Sequence, residues 1–262
     1  MIRAFYKRVL RGILPAFCGL VFIFIYLPIM VLIVFSFNKV AFPYRWVGFS
    51  LQWYHELFRS PEIWVALKNS LFVAISSAFL SLSMGLLFLF YGARTALKKL
   101  TPLFYANLIV PEIFLAVGLL SVFTCIGLPR GLGTLIVAHT ILGMSFAIPI
   151  LATRFAELEA SMVEASLDLG ATLTQTFFRV IIPLMRPALV AAGLLVFIIS
   201  FDDYIIAFFC TSATVQTLPL YIFAMVRTGV SPVINALSAG LLLFSSLLVM
   251  IVYFLRLGKR IV

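Results

Sequence analysis

The sequence predicts an all-α polytopic membrane protein with six transmembrane helices and both termini in the cytoplasm, and three observations predict it. The first is composition: of 262 residues, 64% are hydrophobic and 11% charged, with 27 phenylalanines and a mean hydropathy of +1.19. A water-soluble fold of that make-up would expose large apolar patches. The second is the presence of six continuous apolar runs, each near or above the ~20 residues a helix needs to cross a bilayer. The third is a lopsided distribution of lysine and arginine between alternate loops.

The runs cover residues 13–37, 63–90, 102–124, 134–153, 187–209 and 235–256 within a single domain, 1–262. They are continuous and not alternating, which excludes a closed β-barrel. The first follows Arg3, Lys7, Arg8 and Arg11, as a signal peptide would. It is far longer than the ~7–15 apolar residues of a cleavable core, and Phe17 before Cys18 rules out a lipoprotein signal, so it reads as the first transmembrane helix. With the N-terminus inside, thirteen basic residues fall on the cytoplasmic side and five outside, while Lys68 lies within the second span. That asymmetry orients the chain. The net charge of +10 is therefore a topology signal and not a nucleic-acid surface. Cys18, Cys125 and Cys210 form no CxxC pair and read as packing residues.

The outer loop 38–62 carries Trp46, Trp53 and Tyr54, residues suited to a membrane interface or a short surface helix. The cytoplasmic loop 154–186 is the longest inside. Within it Ser161-Met162-Val163-Glu164 fits a capping box, which predicts a helix starting at Ser161. Gly170 supplies its end, because glycine tolerates a left-handed backbone. Two to three turns are too few to be stable alone in water, so the helix is expected to dock on something.

Glu164-Ala165-Ser166, then Gly170, then Ile182-Pro183 resembles the EAA loop of permease subunits of ATP-binding-cassette importers. Ser166 stands for the second alanine of that motif, and isoleucine precedes Pro183 where leucine is usual. SFDDYIIAFF at 200–209, TLPLYIFAMVRTGVSPVINALSA at 217–239, FPYRWVGFSLQWY at 42–54 and VPEIFLAVGLL at 110–120 extend the resemblance over nearly the whole chain. They are similar to the second permease subunit of spermidine and putrescine importers. The resemblance implies an importer-permease fold in a bacterial inner membrane, with Glu164, Ala165, Ser166, Gly170 and Pro183 coupling to a cytoplasmic ATPase dimer. It also implies a homologous second permease subunit and an extracytoplasmic binding protein as partners, with membrane lipid around them.

The chain itself offers no phosphate-binding loop, since its only Gly-Lys, Gly258-Lys259, is followed by Arg260. ATP is expected on the partner ATPase, and this subunit is expected to be non-catalytic, without cofactor or metal. His55 lies in an outer loop, and His139 stands alone in the fourth span as a packed, hydrogen-bonded residue.

Asp202 and Asp203 sit in an apolar run, where each carboxylate costs at least ~2.5 kcal/mol at the bilayer centre. A polyamine needs carboxylates for its ammonium groups and aromatic or aliphatic walls for its methylenes. Glu112, Asp202 and Asp203 are the candidate carboxylates of a substrate path, and Trp46 a candidate wall. At ~1.5 Å per residue Glu112 is about 15 Å from the inner end of the third span and Asp202 about 22 Å from that of the fifth. Adjacent helical residues point ~100° apart, so one aspartate is expected to face the path and the other to anchor a neighbouring helix. A proton-coupled secondary transporter would also hold mid-depth carboxylates, but it would not need the EAA-like loop. Importer permeases for thiamine, ferric ion, sulfate or molybdate share that loop, and anions suit acidic residues poorly. A membrane assembly factor is the remaining alternative.

Overall fold

A computed structural model describes residues 2–40, 45–92, 95–158, 160–229 and 232–258. Arg94, Lys259 and Arg260 of the charge asymmetry, and residues 41–44 of the loop 38–62, lie outside the described residues. The described residues are helical apart from turns, short 3-10 and π segments and one isolated β-bridge between Asn38 and Phe49. Among the described residues, four helices are long and apolar enough to cross a membrane.

The chain divides into two compact units, one of residues 1–61 and 224–262 and one of residues 62–223. In the first, α1 (Ile2–Phe35) and α2 (Gln52–Arg59) each pack against α12 (Pro232–Gly258). The apolar length Ile13–Phe35 of α1 stays exposed, as expected of a helix solvated by lipid. Its C-terminal end is tied down by polar contacts. Buried Asn38 donates from Nδ2 to the Arg45 carbonyl at 3.1 Å and accepts from the Val47 amide at 3.0 Å. The Trp53 indole donates to the Asn38 carbonyl at 2.7 Å, and Ser36 pairs with the Tyr54 hydroxyl at 2.8 Å. Trp53 and Tyr54 thus fasten the loop to its own helix.

In the second unit, α3 (Pro61–Gly92) and α6 (Leu132–Ala156) are long and continuous, but two apolar runs are not. The third run divides into α4 (Thr101–Ala106) and α5 (Glu112–Cys125). Pro111 explains the division: it has no amide to donate and holds ψ at 133°, outside the helical region. The fifth run divides into α9 (Ile182–Asp202) and α10 (Ile205–Cys210), with Asp203 extended at ψ 125°. Depths counted along straight helices therefore fail for Glu112 and for everything beyond Asp202.

The core of this unit forms two clusters. Leu86, Phe90, Ile148, Leu151, Ile181 and Met185 belong to one, and Val73, Ala116, Leu135, Ala138, Ile206 and Ala207 to the other. Close approach between them depends on small residues. A Cβ on Gly143 of α6 would collide with Ser81 Oγ and come within 2.6 Å of Val196 Cγ1, so α3, α6 and α9 meet there only because position 143 has no side chain. Phe79, Phe114 and Val190 turn outward, where a bilayer would solvate them. α11 (Leu218–Thr228) follows α10 through a loop anchored on α3: the Leu218 amide donates to Ser70 Oγ at 2.7 Å, and Asn69 Nδ2 to the Gln216 carbonyl at 2.9 Å.

Candidate functional site

The two helix breaks bring Glu112 and Asp203 together, although 91 residues separate them in sequence. Glu112 opens α5 directly after Pro111, and its side chain reaches the Asp203 carboxylate. Asp203 leaves α9 and turns back onto α10. Its Oδ2 accepts the Ala207 amide at 2.9 Å and its Oδ1 the Ile206 amide at 3.3 Å. Those are orphan donors at the start of a short helix, and in lipid each unsatisfied one would cost several kcal/mol. The Asp203 side-chain oxygens thus cap the start of α10.

Asp203 is 7% exposed and its neighbour His139 1%. His139 Nε2 faces Asp203 Oδ2 at 3.3 Å, and its Nδ1 is 2.7 Å from Ser200 Oγ. Ser200 in turn contacts Ser77 of α3 at 3.0 Å. Four helices, α3, α6, α9 and α10, thus meet in one polar string, with α5 delivering Glu112 to its end.

Asp202 behaves differently. As the last residue of α9 it is exposed. The structure therefore separates the two aspartates, one buried and fully engaged, one presented at the surface of its unit. Trp46 lies in the other unit, 46% exposed, with its ring edge-on to Phe35 at 6.5 Å. His139 does not stand alone in its span, and sequence reasoning missed Ser77 and Ser200 as its support. The signal available was the hydroxyl row Ser70, Ser77, Ser81, which the helical period places along one face of α3. Among the described residues no three His, Cys, Asp or Glu side chains group to hold a metal ion.

The second constellation is the hairpin of α7 (Ala160–Asp168) and α8 (Leu173–Thr176). α7 begins by Ala160, so Ser161 lies inside the helix and does not cap it. The C-terminal end is a Schellman motif: the Ala171 amide donates to the Ser166 carbonyl at 3.1 Å and the Gly170 amide to that of Leu167 at 2.9 Å. Gly170 sits at φ +84°, a left-handed conformation that costs a side-chain-bearing residue about 1–2 kcal/mol. Thr172 then caps α8, its Oγ1 accepting the Gln175 amide at 3.2 Å while Gln175 Oε1 accepts the Thr172 amide at 2.9 Å. Ser166 Oγ pairs with Thr176 Oγ1 at 3.0 Å, closing the hairpin. A second alanine at 166 would lack that bond.

Val163 and Leu167, one turn apart, pack into the core beside Phe177 and Ile181. The opposite face presents Met162, Glu164, Ala165 and Leu169, and Leu169 is 88% exposed. A π turn, Phe177–Ile181, joins α8 to α9 without interruption and places Pro183 in the first turn of α9.

No family model matches the chain. Among curated proteins it is 33% identical to the spermidine/putrescine transport system permease protein PotC of Haemophilus influenzae, over 239 residues that cover 90% of this chain and 93% of that protein. To the PotC of Escherichia coli K12 it is 34% identical over 245 residues, 92% of each. To the putrescine transport system permease protein PotI of the same organism it is 33% identical over 231 residues, 84% of this chain and 82% of that one. Among solved structures it is similar to a chain of a bacterial ABC transporter that imports the acidic polysaccharide alginate, with a TM-score of 0.70 at 18% identity over 97% of both chains. It also resembles a chain of the MetNI methionine ABC transporter, with a TM-score of 0.53 at 22% identity over 77% of this chain and 96% of that one. At those identities the solved structures speak for the fold alone.

Proposed function

The chain belongs to the polyamine permease family of PotC and PotI, and from that membership we propose that it is the membrane-spanning subunit of an ATP-driven importer carrying spermidine or putrescine into the cytoplasm. The observation that carries the proposal is likeness at one third identity across nine tenths of the chain. The chemistry supports it: Glu112 and Asp202 offer carboxylates to ammonium groups in a part of the fold made of apolar helices. The subunit sits in the bacterial cytoplasmic membrane, spans it six times and keeps both termini inside. It binds no nucleotide. ATP is hydrolysed by a separate ATPase dimer, which receives the α7–α8 hairpin through Glu164, Ala165, Leu169 and the Gly170 turn, with Ser166 and Pro183 holding its shape. A second, homologous permease subunit completes the path, and an extracytoplasmic binding protein delivers the polyamine, with Trp46 beside its entry.

Reconstituted with these partners in vesicles, the complex is expected to accumulate labelled polyamine only with loaded binding protein outside and ATP inside. Collapsing a proton gradient should leave the rate unchanged. Uptake that follows the gradient and ignores ATP would reject the importer reading in favour of a secondary transporter.

The orientation has its own test. In a background without Cys18, Cys125 and Cys210, a membrane-impermeant thiol reagent added outside should label Ser50→Cys and should reach Thr174→Cys only after the membrane is opened. The reverse pattern would invert the topology and remove the hairpin from the ATPase.

A further inference from the structure

The polar string at the α9–α10 break fixes where its protons are. Backbone carbonyls accept and never donate. Ser77 Oγ lies 2.7 Å from the Val73 carbonyl and 3.2 Å from that of Ala74, so its single proton is committed to them. In its 3.0 Å contact with Ser200 it therefore accepts, and the Ser200 proton points at Ser77. Ser200 Oγ then has only lone pairs to offer His139 Nδ1 at 2.7 Å, which requires a proton on Nδ1. Across the ring, Nε2 and Asp203 Oδ2 approach to 3.3 Å, where two bare lone pairs would repel. The contact is at ion-pair distance, and Nε2 has no hydrogen-bond partner among the described residues; with a proton on Nε2, His139 and Asp203 together carry no net charge.

We infer that His139 neutralises Asp203 and acts as a positioning residue for transport: the pair caps α10 and holds the helix break without adding a charge to the path, leaving Asp202 and Glu112 to meet the cation. Among the described residues, the other titratable groups facing the pair are Glu112 from α5, hydrogen-bonded to Asp203, and the Cys210 thiol from α10, while α3 and α9 face it with the Ser77 and Ser200 hydroxyls. Without His139, Asp203 would be an unpaired carboxylate, buried, beside a second carboxyl group. Breaking a buried pair from one side is costly because of the charge left behind, and removing that charge as well relieves the cost. The expected effect of His139 thus depends on Asp203.

A cycle of four complete transport complexes tests this: unaltered, His139→Gln, Asp203→Asn and the double variant. In Asp203→Asn the carboxamide oxygen still accepts an α10 amide, its N–H meets Nε2, and the pair stays neutral. His139→Gln is expected to lower the midpoint of thermal unfolding, the amount of complex recovered and polyamine uptake per complex, the last by about tenfold or more. Adding Asp203→Asn should bring recovery and uptake back to within about threefold of Asp203→Asn alone and the unfolding midpoint back to that variant's value, a non-additivity that packing by His139 would not produce. Equal or greater loss in the double variant would overturn the inference. If His139→Gln yields no complex, recovery of complex by the second substitution is the same test. The uptake arm rests on the polyamine reading, whereas stability and recovery do not. Rescue of stability in a complex that moves no polyamine would keep the pair and reject the substrate.

Discussion

Leu169→Asp is expected to separate ATP hydrolysis from transport. Burying a leucine side chain at an interface contributes about 1.5–3 kcal/mol, and a carboxylate in its place adds a desolvation cost. Docking of the hairpin on the ATPase should weaken by about a hundredfold or more at ~1.4 kcal/mol per factor of ten. Leu169 contributes little inside its own chain, being 88% exposed, so the permease should insert and fold at its usual level. The measurements are uptake per complex, ATPase activity stimulated by loaded binding protein, and co-purification of the ATPase. Gly170→Trp should act in the same direction through the backbone, because tryptophan at φ +84° strains the turn that presents Leu169. A Cβ at position 170 would meet no atom within 4 Å, so Gly170→Ala, which adds the strain without bulk, should act in the same direction. Normal transport by a fully expressed Leu169→Asp protein would show that the hairpin docks by another face.

Asp202→Asn should lower uptake per complex by about ten- to a hundredfold, the effect of removing one charge-assisted contact of ~1.5–3 kcal/mol from the rate-limiting state. Glu112→Gln should do the same if its carboxyl group meets a second ammonium group. The two substitutions keep shape and remove charge. Asp202 is exposed at the last residue of α9, so its loss should not reduce the amount of complex in the membrane. That separates it from Asp203, whose side chain holds two amides and a histidine. Unchanged uptake per complex in both Asp202→Asn and Glu112→Gln would remove charge recognition from this region and leave the substrate to family likeness.

How much of this was legible in the sequence depended on whether a signal was local. The α7 helix and its end at Gly170 follow from short-range patterns, and the long apolar helices from hydropathy. Of the two helix breaks only the one at Pro111 had a local signal. Pro111 warns of the first, since proline ends or kinks a helix at the residue before it. Nothing short-range announces the second, because Asp203 leaves the helix to satisfy α10 amides and a histidine 64 residues earlier. The expected divergence of the two aspartates assumed one continuous helix, whereas Asp203 lies beyond the end of α9 in an extended conformation, and its burial goes with His139 on another helix. Contacts between distant segments have no periodicity, so a histidine without close sequence partners reads as solitary until the helices are packed.

α8, the π turn and α9 form one unbroken helical rod from Leu173 to Asp202, 30 residues or about 45 Å long at ~1.5 Å per residue. One end is built into the α7–α8 hairpin, and the other ends on the exposed carboxylate beside the buried pair. With the hairpin docked as proposed, the rod would act as a lever of uneven compliance. The π turn at 177–181 and the missing amides of Pro183 and Pro187 concentrate its bending near the docking end. Beyond Pro187 the arm is stiff for about 22 Å, so a tilt of about 5° carries its tip some 2 Å sideways. That stroke is enough to make or break a hydrogen bond at Asp202 while every bond inside the arm stays intact.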